Sequence, residues 1–541
     1  MSGRRRVRDN SLDRAGESPA PSSDEKKAAS PVVVSSQRDN SLDREQMIVS
    51  QPDSPDGVSE ATTASSPGRA SKPRASRSKK KSTAAARKKA PRESSSEVIF
   101  ACGLNEHGQL GLGDTSERHA LTAVPALPGG KVVKQVIAGG SHTVILVEDG
   151  TLFACGNNSF GQLGLGDHDG RDTFTAVPAL PGRRVAKQVT AGGDQTLVLA
   201  QDGTVLGCGG NFDGQLGLGD TNTRNTFTAV PALPAGKVAK RVVAGPFHTL
   251  LLAKDGTLFS SGSSFNGQLG LGEEDRNTFT AVPALPNGKV PKQVATGNQH
   301  TAILTKDRAV FICGWNYYGQ LGQSDHFNRW GFSAVPDLPL GKVAKQVISG
   351  GQHTMILAED GALFACGWNC DYGQLGLGDN DDRAVFTAVP ALLDGKVAIE
   401  QVIAGNSHAV IMADDGTLFA CGGNLDGQLG LGDTTNRNAF TAVPALPDGK
   451  VAKQVITGGY HTIVRAEAPR VVSSAAVVGP TLFGAIESEG GGHGGGSSGG
   501  GRGSGDAAEG GSGGEEGGFW EGGDAAEDGG GGEGVNLWEM I

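Results

Sequence analysis

The sequence has little of what membrane proteins, metal proteins and helical repeats are built from. No run of 18 apolar residues occurs, so no segment reads as a membrane-spanning helix. The opening "MSGRRRVRDN" leads into no apolar stretch, which argues against secretion. Aromatic residues are only 5% of the chain, with five Trp and four Tyr. Seven cysteines form no CxxC pair and no His/Cys spacing suited to zinc. Six of them (Cys102, Cys155, Cys208, Cys313, Cys366 and Cys421) each precede a glycine at one repeated position, so they read as small apolar strand residues in a reducing compartment. No segment places apolar residues at a 3.6-residue period, which excludes helical solenoids.

What the chain does have is glycine, 86 residues of it, much of it periodic. "GQLG" begins at Gly108, Gly161, Gly214, Gly267, Gly319, Gly373 and Gly427, with spacings of 52 to 54 residues. Seven copies at a nearly fixed period define a repeat architecture. A loop that cradles a phosphate serves one site, so seven copies exclude that use. "GxxGxG" is also not the dinucleotide fingerprint, and the recurring "GKV" lacks the Ser/Thr that a P-loop places on magnesium. No cofactor is expected.

Within one unit, "KQVIAG" and "HTVILVE" read as strands, "DG" as a tight hairpin turn, "TLFACG" as a third strand and "FTAVPAL" as a fourth, with its Pro suited to an outer edge. The central strands are apolar on both faces, so both faces need cover. Four-stranded sheets stacked around an axis provide it. The first unit starts halfway, at Val98, and the last stops halfway, at "VAKQVITGGYHTIV". Residues 97–467 hold the length of seven 53-residue units. The expected fold is therefore all-β: a seven-bladed propeller closed by pairing its N- and C-terminal half-repeats, which removes open edges.

The stretch "GGSHTVILVEDGTLFACGNNSFGQLGLGD" resembles the repeat of the regulator of chromosome condensation family. The namesake of that family is an exchange factor for the small GTPase Ran on chromatin, gripping the GTPase with one propeller face and an inserted hairpin wedge. Here no unit is long enough to hold such a wedge. The family also uses acids beside a recurring His, and Asp194 in "GGDQT" is the only acid directly before that position. A related plant ultraviolet-B photoreceptor depends on tryptophans in "GWRHT"-like segments, and none of the five Trp follows the glycine of a "GxxHT" segment here. A photoreceptor is not expected.

The histidines of that segment, His142, His248, His300, His353, His408 and His461, with Gln195 in the remaining place, form a ring around the fold. A metal needs converging ligands, so the expectation is a repeated hydrogen-bonding residue that ties strand to loop, assisted by the following Thr. No nucleophile is paired with a base, so no bond-making enzyme is read. The loop before GQLG is small or polar in most blades, as in "NNSF" and "GNFD". In two adjacent units it becomes "GWNYY" (Trp315, Tyr317, Tyr318) and "GWNCDY" (Trp368, Tyr372), and the first continues with Phe327, Arg329 and Trp330. Trp, Tyr and Arg dominate binding hot spots, so these residues and Asp194 are the expected protein-binding patch.

The two ends differ in charge. Residues 1–96 carry 20 Lys and Arg against 12 Asp and Glu, whereas residues 485–541 carry 1 against 12. Both are poor in apolar residues and read as disordered, with 468–484 as a linker. Lys79, Lys80, Lys81, Arg87, Lys88 and Lys89 form two basic clusters that resemble a bipartite import signal for importin, or an arm for non-specific DNA contact. Ser18, Ser30, Ser54 and Ser66 each precede Pro, and Ser11 and Ser41 lie in the twice-repeated "RDNSLDR", as phosphorylation candidates. Trp520 and Trp538 stand in two apolar islands of the acidic tail. The expected protein is a nuclear propeller platform, with the cytoplasm as the alternative location. Its expected partners are a Ran-like GTPase or histones, and exchange activity is the runner-up function.

Overall fold

A computed structural model describes residues 97–392 and 398–468. The basic clusters, the six serines and the two tryptophan islands lie outside the described residues. Seven four-stranded antiparallel sheets form, in the order β3-β4-β5-β6 for the first complete blade: β3 is Val133–Ala138, β4 His142–Val147, β5 Leu152–Gly156 and β6 Arg171–Ala176. The seventh blade is shared. Its sheet runs β2-β1-β28-β27, joining β1 (Val98–Gly103) and β2 (Arg118–Ala123) to β27 (Val451–Thr457) and β28 (His461–Glu467). Val98 pairs with Ala466 and Gly103 with His461, so the half-repeats close the ring as expected. The seam carries its own bond: Arg465 pairs with Glu97 and also donates through Nη1 to Gln454 Oε1 at 3.0 Å.

The apolar runs that signalled two covered faces do have two. In β4, Val144 and Leu146 pack into the interface with the next blade, while Ile145 and Val147 pack toward the closing blade with Ile456 and Ile463. Every residue of β4 is buried. Full burial of one such aliphatic side chain stabilises by about 1.5–3 kcal/mol, and the pattern recurs around the ring. The six repeated cysteines are buried as expected, each Sγ 3.5–3.6 Å from the backbone oxygen of a GQLG glutamine.

The fourth strand differs from its sequence reading. It begins at Arg171 and ends at Ala176, before "VPAL", because the last ladder bond is Val177 N to Leu152 O. Pro178 therefore sits beyond the edge strand. Val177 and Leu180 turn inward and fill the space between the first two blades.

Candidate functional site

Within a blade, the connection between first and second strands and the connection between third and fourth strands emerge on one face of the disc. The GQLG loops belong to that face. Each closes on its own backbone: Gly108 N donates to Asn105 O at 2.8 Å and Gly111 N to Gly108 O at 2.9 Å. Gly113 N reaches across to Asp172 O of the next blade at 2.8 Å. The amides that a phosphate loop would aim at its ligand are thus already used. A Cβ on Gly108 would lie 2.4 Å from Asp172 Cα, and one on Gly111 would lie 2.5 Å from the Phe174 ring. Glycine is required because the loop lies flat on the neighbouring blade.

The recurring histidines are buried, and they link blade to blade rather than strand to loop. His142 Nε2 is 2.9 Å from Thr196 Oγ1 of the next blade, and Thr196 Oγ1 donates to Gln162 O at 2.7 Å. Because the hydroxyl proton goes to the carbonyl, the imidazole donates through Nε2. The same relay joins His248 to Thr301, His300 to Thr354, His408 to Thr462 and His461 to Thr143. Gln195 replaces it by donating to Gly245 O at 2.6 Å. It fails once. Ala409 stands where the Thr partner of His353 belongs, and both ring nitrogens of His353 and both amide atoms of Gln374 are left unsatisfied. Burial pushes His142, His248, His300 and His408 down to about 3, and His353 and His461 to about 4, so the ring is neutral at pH 7. Among the described residues no group of three or more His, Cys, Asp or Glu is placed to hold a metal ion.

Five of the nine residues expected to bind a partner form a continuous aromatic ladder on this face. Trp315 stacks on Tyr317 at 6.1 Å and meets Tyr318 edge-on at 5.4 Å. Tyr318 crosses the blade boundary to Trp368 at 5.7 Å, and Trp368 meets Tyr372 at 5.3 Å. Tyr317 is 65% exposed, whereas Trp315, Tyr318, Trp368 and Tyr372 are half-buried. Burial, reinforced by Cys370, Tyr317 and the carboxylates of Asp382 and Asp371, holds the Tyr318 phenol above its ordinary range.

The other four residues stand apart from these ring contacts. Phe327 is exposed on the same loop as Tyr317. Trp330 is the second residue of the outer strand β18 (Arg329–Ala334) and lies against Gly267 of the preceding unit's loop. Arg329 Nη2 donates to Asp325 at 2.6 Å, as Arg171 does to Asp167 and Arg224 to Asp220, so it anchors its loop as its counterparts do. Asp194 is half-buried and accepts from Gln162 Nε2 at 3.1 Å, and burial raises its carboxyl.

Sequence reasoning passed over further aromatics. Phe212 and Phe265 are 61% and 78% exposed, and Phe160 meets Phe212 edge-on at 5.2 Å across a blade boundary. All three lie one or two residues before a GQLG, inside strings such as "NNSF" and "GNFD". The phenylalanine was visible there, but the string as a whole read as small and polar.

The seven segments between third and fourth strands hold 17 Asp and Glu, and the Arg that opens each following strand pairs with one of them. On the opposite face Lys and Asp alternate and pair, as in Lys131 with Asp149 at 2.6 Å and Lys237 with Asp255.

Residues 184–474 match the model of the RCC1-like domain, while residues 98–146, 149–199 and 133–162 match the regulator of chromosome condensation (RCC1) repeat. The chain belongs to the RCC1-like family. Within it, the chain is 34% identical over 358 residues to the ultraviolet-B receptor UVR8 of Arabidopsis thaliana, covering 65% of this chain and 79% of that one. It is 28% identical over 404 residues to the secretion-regulating guanine nucleotide exchange factor of Mus musculus, covering 70% and 85%. The structure of Prp20p from Saccharomyces cerevisiae, described with its binding to Gsp1p and histones, superposes with a TM-score of 0.61 at 22% identity over 70% of this chain and 93% of that one. Family membership accounts for the seven-bladed ring. The position after the glycine of each "GxxHT" segment, where the photoreceptor-like pattern has Trp, holds only Gly, Pro or Asn and lines the axial mouth.

Proposed function

We propose that the protein is a binding platform that engages a protein partner with the face carrying the GQLG loops, and that it is not a bond-making enzyme. The observation that carries this reading is the Trp315–Tyr372 ladder. It is a contiguous, partly exposed aromatic strip on a scaffold whose loops are locked from blade to blade, and rigid aromatic anchors are what hot spots are made of. We place the protein in the nucleus, delivered by importin through Lys79–Lys81 and Arg87–Lys89, with a small GTPase or histones as partners. The reported binding of Prp20p to Gsp1p and histones supports that choice of partner class. Recovery of recombinant Ran or histone dimers on the immobilised protein should fall at least tenfold with Tyr317→Ala plus Trp368→Ala. Unchanged recovery by a variant that keeps its unfolding midpoint would reject the face.

The second reading is guanine-nucleotide exchange, favoured by the similarity to the secretion-regulating exchange factor. Labelled GDP release from purified Ran decides it. Acceleration that the ladder variant lacks supports exchange from this face, and no acceleration removes the reading.

A further inference from the structure

The chemistry of the ladder's surroundings narrows what docks there. The loop of the fifth blade, residues 368–382, is the longest of the seven, and it holds four acids: Asp371, Asp379, Asp381 and Asp382. Asp379 is held by Arg383 at 2.5 Å, and Asp381 lies 3.9 Å from the same guanidinium. Among the described residues neither Asp371 nor Asp382 takes part in an ion pair. Asp382 Oδ1 accepts from the Asn369 and Cys370 amides at 2.7 and 3.1 Å, which fixes it in the loop without a counter-charge, and both carboxylates help raise the Tyr318 phenol. In each of the surrounding GQLG loops one acid is already paired to the Arg that opens the following strand, so Asp371 and Asp382 stand out in their loop as the acids without such a partner. An aromatic face attracts a cation through its quadrupole, Arg most often, and a nearby uncompensated carboxylate supplies a second partner for the same guanidinium. A purely apolar partner would instead leave those carboxylates desolvated without a counter-charge, which costs free energy.

We infer that the ladder is a docking site for an arginine-rich segment of a partner protein, with guanidinium groups lying on Tyr317, Tyr318 and Trp368 and paired to Asp371 and Asp382. This rests on the platform reading and specifies the chemistry of its partner. The segment needs no fixed sequence beyond spaced arginines, since the strip reads charge and planarity.

The test uses the full chain and a fluorescein-labelled peptide of about twelve residues alternating Arg and Ser, at near-physiological salt, where weak surface attraction is already screened. Tyr317→Leu plus Trp368→Leu keeps apolar area while removing the π faces, and its effect should be at least a tenfold loss of affinity. Asp371→Asn should weaken binding several-fold and flatten its salt dependence. The acidic tail is common to every variant, so the difference between variants reports the ladder. Three results overturn the inference: equal binding by parent and double variant, equal binding of a peptide with Gln in place of Arg, or binding that appears only when Lys79–Lys81 and Arg87–Lys89 are replaced by Ala. The last would make the chain's own basic segment the occupant. If the peptide ignores the ladder while Ran or histone recovery still depends on it, the platform reading stands and only the cationic chemistry fails.

Discussion

His353 is the one histidine of the ring whose relay is broken, and the cause is a single missing hydroxyl at Ala409. A buried polar group without a partner costs roughly 1–3 kcal/mol. Ala409→Thr should therefore raise the free energy of unfolding by about 1 kcal/mol, read from urea denaturation. The converse, Thr301→Ala, should lower it by about 1–3 kcal/mol by orphaning His248 and the Gln268 carbonyl that Thr301 serves. The six histidines also set a pH limit. Their folded-state pKa values lie at about 3 to 4, so the unfolded chain takes up protons first. The contribution of neutral burial is intact above about pH 6.5 and is lost as pH falls toward those values. Each imidazole then costs about 1.4 kcal/mol per pH unit in that window. Thermal midpoints should drop steeply between pH 6.5 and 4.5, and a flat profile would contradict the neutral ring. Periodicity in the sequence gives these histidines away as a set of repeated hydrogen-bonding residues. It does not reveal that their partner sits one blade on, because a contact 53 or 54 residues away becomes a neighbour only once the ring is built.

At the scale of the element, the GQLG loop is a clasp between blades. Its first glycine lies on the next blade's outer strand and its second lies over that strand's Phe, or over Leu121 in the closing blade. Gly164→Ala places a methyl 2.6 Å from the Phe227 ring at a φ of +67°, so strain and clash add. The expected loss is about 2–4 kcal/mol. Gly130→Ala, also at positive φ but with nothing within 4 Å, should cost only about 1 kcal/mol. Comparing the two by thermal denaturation separates the packing term from the backbone term. The strands themselves were legible from the sequence, since an apolar run bounded by "DG" has few alternatives. The end of the fourth strand was not, because Val177 and Leu180 look like strand residues while serving as filler between blades. The aromatic strip was legible in part. Trp and Tyr stand out against a composition so poor in them, whereas Phe160, Phe212 and Phe265 hid among the small residues around them.

For the whole molecule, closure depends on one strand pair and on one ion pair at its start. Arg465 and Glu97 are both more than four-fifths buried. Arg465→Ala leaves Glu97 without its charge partner and should destabilise the ring by about 3 kcal/mol, with limited proteolysis now cutting first between β1 and β2. Cleavage that starts elsewhere would show that the seam is not the weakest joint. The half-repeats at the two ends made this closure readable in advance, but not the latch, because Arg465 and Glu97 lie 368 residues apart and only the closed ring brings them together. The seam also has a mechanical consequence. Val98 and Ala466 face each other, so the chain enters and leaves the ring at the same end of two antiparallel neighbours. Tension between a partner held by the basic head and another held by the acidic tail would not shear β1 along β28. It would peel the two strands apart rung by rung from Glu97 onward, so the propeller would open under pull far more readily than its folded stability suggests.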